Sequence, residues 1–126
     1  MKQHLELLER IREIVAKDAR YRPEAYDFVR SALDYAGKKF EIRGHLTGRQ
    51  LLEGARELAI RRYGPMARTV LEHWGVQRTE DIGEIVFNMV DIGLLSKTDA
   101  DQRGDFSSVY DFGEAFDEEY PWHQRR

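Results

Sequence analysis

Four arginines, Arg56, Arg61, Arg62 and Arg68, stand close together in the middle of the chain. Guanidinium groups gathered this way hold phosphate or an acidic peptide through charge-assisted hydrogen bonds. Neighbouring carboxylates compete for the same cations, and Glu53, Glu57 and Glu72 lie near enough in sequence to neutralise them. Further along, Tyr120 and Trp122 stand among or beside Asp117, Glu118 and Glu119. Aromatic anchors in an acidic rim suit a protein contact. Arg56, Arg61, Arg62, Arg68, Tyr120 and Trp122 are therefore the candidate interaction residues.

Metal and acid–base chemistry find less to work with. His4, His45, His73 and His123 are scattered and show no His-x-x-x-His or His-Glu-x-x-His spacing. The segment from Asp99 to Asp105 places carboxylates at positions 1 and 3 of a calcium loop and Gly104 at position 6. Position 5 is Arg103 and position 12 is Tyr110, so two required oxygen ligands are missing and an Asp-stabilised turn is the better reading. Asp111-Phe112-Gly113 copies the kinase metal-binding tripeptide without the glycine-rich loop, strand lysine or catalytic loop that give it meaning. The chain has no cysteine, which excludes disulfides, thiolate zinc sites and cysteine nucleophiles. No carboxylate pair is set apart as acid and base. The expectation is a chain with no catalytic residue, metal ligand or cofactor.

The elements that would position these residues follow from periodicity. Residues 3–18 form an amphipathic helix with Leu7, Leu8, Ile11, Ile14 and Val15 on one stripe. A second helix starts at Pro23 and ends near Gly37, with Ala25, Val29, Ala32, Leu33 and Ala36 inward. Residues 38–45 suit a short strand or a loop. Thr47 and Gln50 make a capping box for a third helix whose inner face is Leu51, Leu52, Ala55, Leu58 and Ala59. Gly64-Pro65 ends it, and a fourth helix, residues 66–74, turns Met66, Val70, Leu71 and Trp74 inward before stopping at Gly75. Thr79 caps a fifth helix with Ile82, Ile85, Val86, Met89 and Val90 on its stripe, closed by Gly93-Leu94. Residues 95–98 and 106–112 are predicted to pair as a β-hairpin, Phe106, Ser108, Tyr110 and Phe112 alternating. Tyr110, Phe112 and Phe116 would then fold back onto the helical core.

These elements make one domain of 126 residues, anchored by fourteen aromatics. Residues 1–116 form it and residues 117–126 follow as a tail free to move. The expected class is mainly α, a compact five-helix domain with a C-terminal β-hairpin. Two helices, a turn and a hairpin also match a winged-helix-like arrangement. The surface of that arrangement has the wrong sign for DNA, because Glu80, Asp81, Glu84 and Asp91 face outward and Asp99, Asp101 and Asp105 would line the wing. Net charge is −3, and the acid is concentrated late: residues 1–98 carry 17 Lys/Arg against 15 Asp/Glu, residues 99–126 carry 3 against 8. No run of about 18 apolar residues occurs, and no signal-peptide core, so the expected location is cytoplasmic, away from membranes.

Residues 21–35 (YRPEAYDFVRSALDY), 48–54 (GRQLLEG), 63–76 (YGPMARTVLEHWGV) and 79–90 (TEDIGEIVFNMV), with Gly93-Leu94-Leu95 and Tyr110-Asp111-Phe112 after them, resemble an uncharacterised bacterial family of planctomycete and verrucomicrobial type. The likeness covers nearly the whole chain, implies no assigned activity, and transfers no site residue. The functional expectation is a non-enzymatic protein-binding or regulatory module whose partner is another protein. A winged-helix-like nucleic-acid binder using the arginine group is the alternative, and a metal-dependent or hydrolytic enzyme stands third.

Overall fold

Apolar side chains three and four residues apart need helices that bury one stripe each. The computed structural model describes residues 2–95 and 103–118, and five α-helices stand among them. They are α1 (Lys2–Lys17), α2 (Pro23–Lys39), α3 (Gly48–Tyr63), α4 (Ala67–His73) and α5 (Thr79–Asp91). A 3-10 turn (Gly64–Met66) links α3 to α4, a second (Arg103–Phe106) comes after α5, and a π-helical turn (Gly113–Glu118) ends the described chain.

The centre of the fold is the α2–α3 pair, the most extensive helix contact. Ala32 and Ala36 on α2 and Gly54, Ala55 and Ala59 on α3 are all buried. Small residues here let the two backbones approach: a Cβ on Gly54 would lie 2.5 Å from the Ala36 Cβ. α5 brings Ile82, Ile85, Val86 and Met89 into the same core, and α1 adds Ile11 and Ile14. Phe28, Tyr63 and Trp74 meet at 5.8–6.4 Å between ring centroids and tie α2, α3 and the end of α4 together.

Three helices end in the same way. Gly75 (φ 94°) and Gly93 (φ 79°) take the left-handed position after α4 and α5. The following N–H groups, of Val76 and Leu94, reach back to the carbonyls of Leu71 (2.9 Å) and Met89 (2.8 Å), the Schellman arrangement. α2 does so with a non-glycine residue. It runs through Gly37 to Lys39, and Glu41 (φ 55°) takes the left-handed place while Ile42 N–H reaches the Gly37 carbonyl at 2.9 Å. The helix thus ends later than Gly37 suggests, and residues 40–47 form a loop rather than a strand. Two inner-face assignments also change. Met66 is 54% exposed because α4 begins one residue later and Ala67 takes the buried place, and Leu8 is 38% exposed on the outer part of α1.

The expected C-terminal β-hairpin is not found among the described residues. No strand occurs among the described residues, and residues 96–102, which include part of the first proposed strand, lie outside them. The physical reason is that the backbone groups a ladder would use are taken. Leu94 and Leu95 N–H groups both reach the Met89 carbonyl, the Phe106 carbonyl accepts the Thr79 hydroxyl at 2.6 Å, and Ser108 N–H goes to the Glu80 carboxylate at 3.2 Å. Val109 N–H donates to the Thr79 hydroxyl oxygen. Beyond that point the buried positions are Phe112, Ala115 and Phe116, a helical spacing rather than an alternating one. No wing occurs among the described residues, so the winged-helix-like arrangement is not found there either. The aromatic fold-back itself is present: Phe106, Phe112 and Phe116 are buried and Tyr110 donates to the Leu52 carbonyl at 2.8 Å.

Candidate functional site

Two surface recesses and one polar cluster gather the groups able to do chemistry. The larger recess is a cleft of about 760 Å³ between the second half of α2, residues 41–47, the start of α3 and the last turns of α5. Leu51, Val86 and Phe106 form its base from the core side. Above them Leu33, Ile42, Leu46, Val90 and Leu95 are only half-buried, so an apolar floor faces outward. Its lip is polar and exposed, with Asp34, Lys38, Glu41, Arg43 and His45. Local folding explains the shape. The left-handed turn at Glu41 lifts the chain off the end of α2, and the Thr47–Gln50 capping box returns it to the core, Gln50 N–H donating to Thr47 Oγ1 at 3.1 Å and Thr47 N–H to Gln50 Oε1 at 2.9 Å.

A second recess of about 460 Å³ adjoins it on the outer side of the α2–α3 pair. Asp34 and Lys38 line both. Arg30 and Ser31 from α2 and Arg62 from α3 complete its polar wall, over Leu58 and Tyr35.

The four sequence-flagged arginines separate in three dimensions. Arg62 lines the smaller recess, and the Arg61 guanidinium lies 5.8 Å from the ring centroid of Tyr35, a residue of the same recess. Arg56 leans on Glu53 at 3.5 Å. Arg68 is held by Glu72 at 3.1 Å and Asp117 at 2.7 Å, which anchors the chain at least one residue past the expected boundary at 116. Glu57 serves Lys39 and the Tyr35 hydroxyl, both at 2.6 Å, rather than the arginines. Tyr120 and Trp122 lie outside the described residues. Sequence reasoning missed Arg30, Lys38, Arg43 and the exposed His45. The stripe Arg30, Asp34, Lys38 at i, i+4, i+8 was the available signal for α2, but its meeting with Arg62 depends on how α2 and α3 cross.

The polar cluster joins the α1–α2 connection to α5. Asp18 accepts from Arg20 at 2.9 and 2.6 Å and from the Asn88 amide at 3.0 Å, and that amide also donates to the Tyr26 hydroxyl at 3.0 Å. Tyr21 donates its hydroxyl to Asp81 at 2.6 Å, and the other oxygen of that carboxylate accepts the Gln77 and Arg78 N–H groups ahead of α5. The Arg20 guanidinium holds the Asp18 carboxyl well below the usual range, against the opposing effect of burial. Burial and the Asp81 hydrogen bond push the Tyr21 phenol up. Both shifts move the groups away from neutral pH, the opposite of what a general acid or base needs. The cluster is a clip between elements. Among the described residues no buried side-chain polar atom lacks a partner, and no His, Asp and Glu group is placed to hold a metal.

No known family model matches the chain, and neither a curated protein nor a solved structure does. Among the described residues no helix is long and apolar enough to cross a membrane.

Proposed function

We propose that the protein is a non-enzymatic binding module that holds a segment of another protein in the cleft between α2, residues 41–47 and α5. The observation that carries this reading is the cleft's construction, a half-exposed aliphatic floor beneath a charged lip. Apolar floors with a few polar groups at the edge are the usual build of peptide and ligand sites, the floor supplying affinity and the lip orientation. Leu33, Ile42, Leu46, Val90 and Leu95 remain half-exposed although the neighbouring core is closed, so a partner's side chains would gain by covering them. Asp34 and Glu41 stand among the cations of the lip, which favours a protein over a nucleic acid as occupant.

A peptide-display selection on the immobilised protein tests the reading. Selected peptides are expected to lose at least about tenfold in affinity for Leu46→Glu, which puts a charge on the floor from a loop position where the fold tolerates it. Circular dichroism of the variant checks that the helices survive. A selection that yields no peptide, or peptides indifferent to Leu46→Glu and to Val90→Glu alike, rejects the cleft as a protein-binding site.

A further inference from the structure

We propose that the recess beside the cleft is an oxyanion site, built by Arg30, Arg62 and Ser31 to take a carboxylate or phosphate of the partner segment whose apolar side chains occupy the cleft. This rests on the reading above for the source of the anion, and on separate observations for the site.

The first is the state of the local charges. The carboxylates beside the recess are already matched, Asp34 to Lys38 at 3.2 Å and Glu57 to Lys39 and the Tyr35 hydroxyl. Arg30 and Arg62 are exposed and have no ion-pair partner among the described residues, and Arg43 on the adjoining lip is in the same condition. In a chain of net charge −3, unpaired cations from two different helices share one recess. A third source of charge, Arg61, lies over the Tyr35 ring at its edge.

The second is the fit of the donors. Each guanidinium presents a planar fork of N–H groups suited to two oxygens, and the half-buried Ser31 hydroxyl, next to Arg30 on α2, adds a single donor in the same recess. Leu58 and the Tyr35 ring supply an apolar back wall, which strengthens an ion contact relative to open water. The third is continuity. Asp34 and Lys38 border both recesses, so one extended segment would reach from the aliphatic floor to the arginines without leaving the surface. Asp34 and Glu41 interrupt the cations on the cleft side, which disfavours a run of nucleic-acid phosphates.

The experiment follows the side-chain Nε–Hε signals of arginine in the 15N-labelled full chain during titration with inorganic phosphate. Arg30 and Arg62 are expected to shift and saturate, while the exposed Arg12 and Arg49 stay still; equal shifts at all four would overturn the site. Arg30→Gln with Arg62→Gln, both at exposed positions, is expected to weaken phosphate by at least about tenfold. Repeating the titration in Leu46→Glu separates the two ideas, since phosphate binding there supports the recess even where the cleft reading has failed. Selected cleft peptides then identify the source. An acidic or phosphoserine residue whose replacement by Gln or Ala costs the wild type about tenfold and the double variant nothing supports the proposal. Cleft peptides whose affinity ignores Arg30, Arg62 and peptide charge, or a single-stranded RNA that displaces them at the arginines, overturn it.

Discussion

The Thr79 hydroxyl lies where the start of α5 meets the returning C-terminal segment, and it is fully buried. It donates to the Phe106 carbonyl at 2.6 Å and accepts the Val109 N–H at 3.2 Å. The sequence suggests an N-cap at this position, but the capping work is done by Asp81, leaving the threonine free to hold residues 106–109. Valine has nearly the same shape and lacks the hydroxyl, so Thr79→Val strands a buried carbonyl and a backbone N–H together. The expected loss is about 2–3 kcal/mol, read as a melting midpoint lower by roughly 6–12 °C. Thr79→Ser keeps both hydrogen bonds and gives up one methyl, at about 1 kcal/mol. Equal losses for the two variants would mean that packing, and not the hydroxyl, fixes the segment.

At the scale of elements, what was legible in the sequence is what local chemistry controls. The Thr47–Gln50 box, Pro23 at the start of α2, and the endings at Gly75 and Gly93 are all where residue types put them. The hairpin was misread because alternation over 106–112 is real, yet α5 competes for the same backbone groups and wins by being adjacent. The candidate site was legible only in part: Arg62 belongs to the recess, but its partners Arg30 and Ser31 are more than thirty positions earlier and come together through the α2–α3 crossing. That crossing depends on Gly54. In Gly54→Ala the new methyl meets Ala36 Cβ at 2.5 Å and its Cα at 3.1 Å, a backbone clash that no side-chain rotation relieves. Helix propensity favours alanine by about 1 kcal/mol, while overpacking costs about 3 kcal/mol, a net destabilisation of about 2 kcal/mol. Adding Ala36→Gly moves the methyl to the other helix, so urea unfolding of the double variant is expected to show favourable coupling between the two changes. Strict additivity would show that the helices already separate to admit the extra carbon.

For the whole molecule, the decisive arrangement is that sequence-distant pieces are joined by carboxylates rather than by apolar contact alone. Asp18 binds the α1–α2 connection to α5, Glu57 in the interior of α3 binds the last turns of α2, and Glu80 holds Ser108 to α5. All three carboxyls sit below their usual range in the folded chain. Arg20 does this for Asp18, Lys39 and Tyr35 do it for Glu57, and for Glu80 backbone N–H groups outweigh an opposing burial effect. A carboxyl with a depressed folded pKa adds stability that is fully present above its unfolded value, about 4, and that disappears as pH falls through the folded value. Stability is therefore expected to be level from about pH 6 to 8 as far as these groups contribute, and to decline below about pH 4. Asp18→Asn isolates one share of that decline. At pH 7 it loses a partly exposed charge pair and charge-assisted hydrogen bonds, about 1–2 kcal/mol. As the pH falls below about 4, Asp18 of the unfolded chain takes up a proton that the folded carboxyl, held down by Arg20, does not, so the wild type loses its advantage and the two unfolding free energies approach each other. Urea titrations at pH 7, 5, 4 and 3 follow the gap between them. A gap that stays constant to pH 3 would show that Asp18 acts through its shape and not its charge, and the electrostatic clip between the α1–α2 connection and α5 would have to be abandoned.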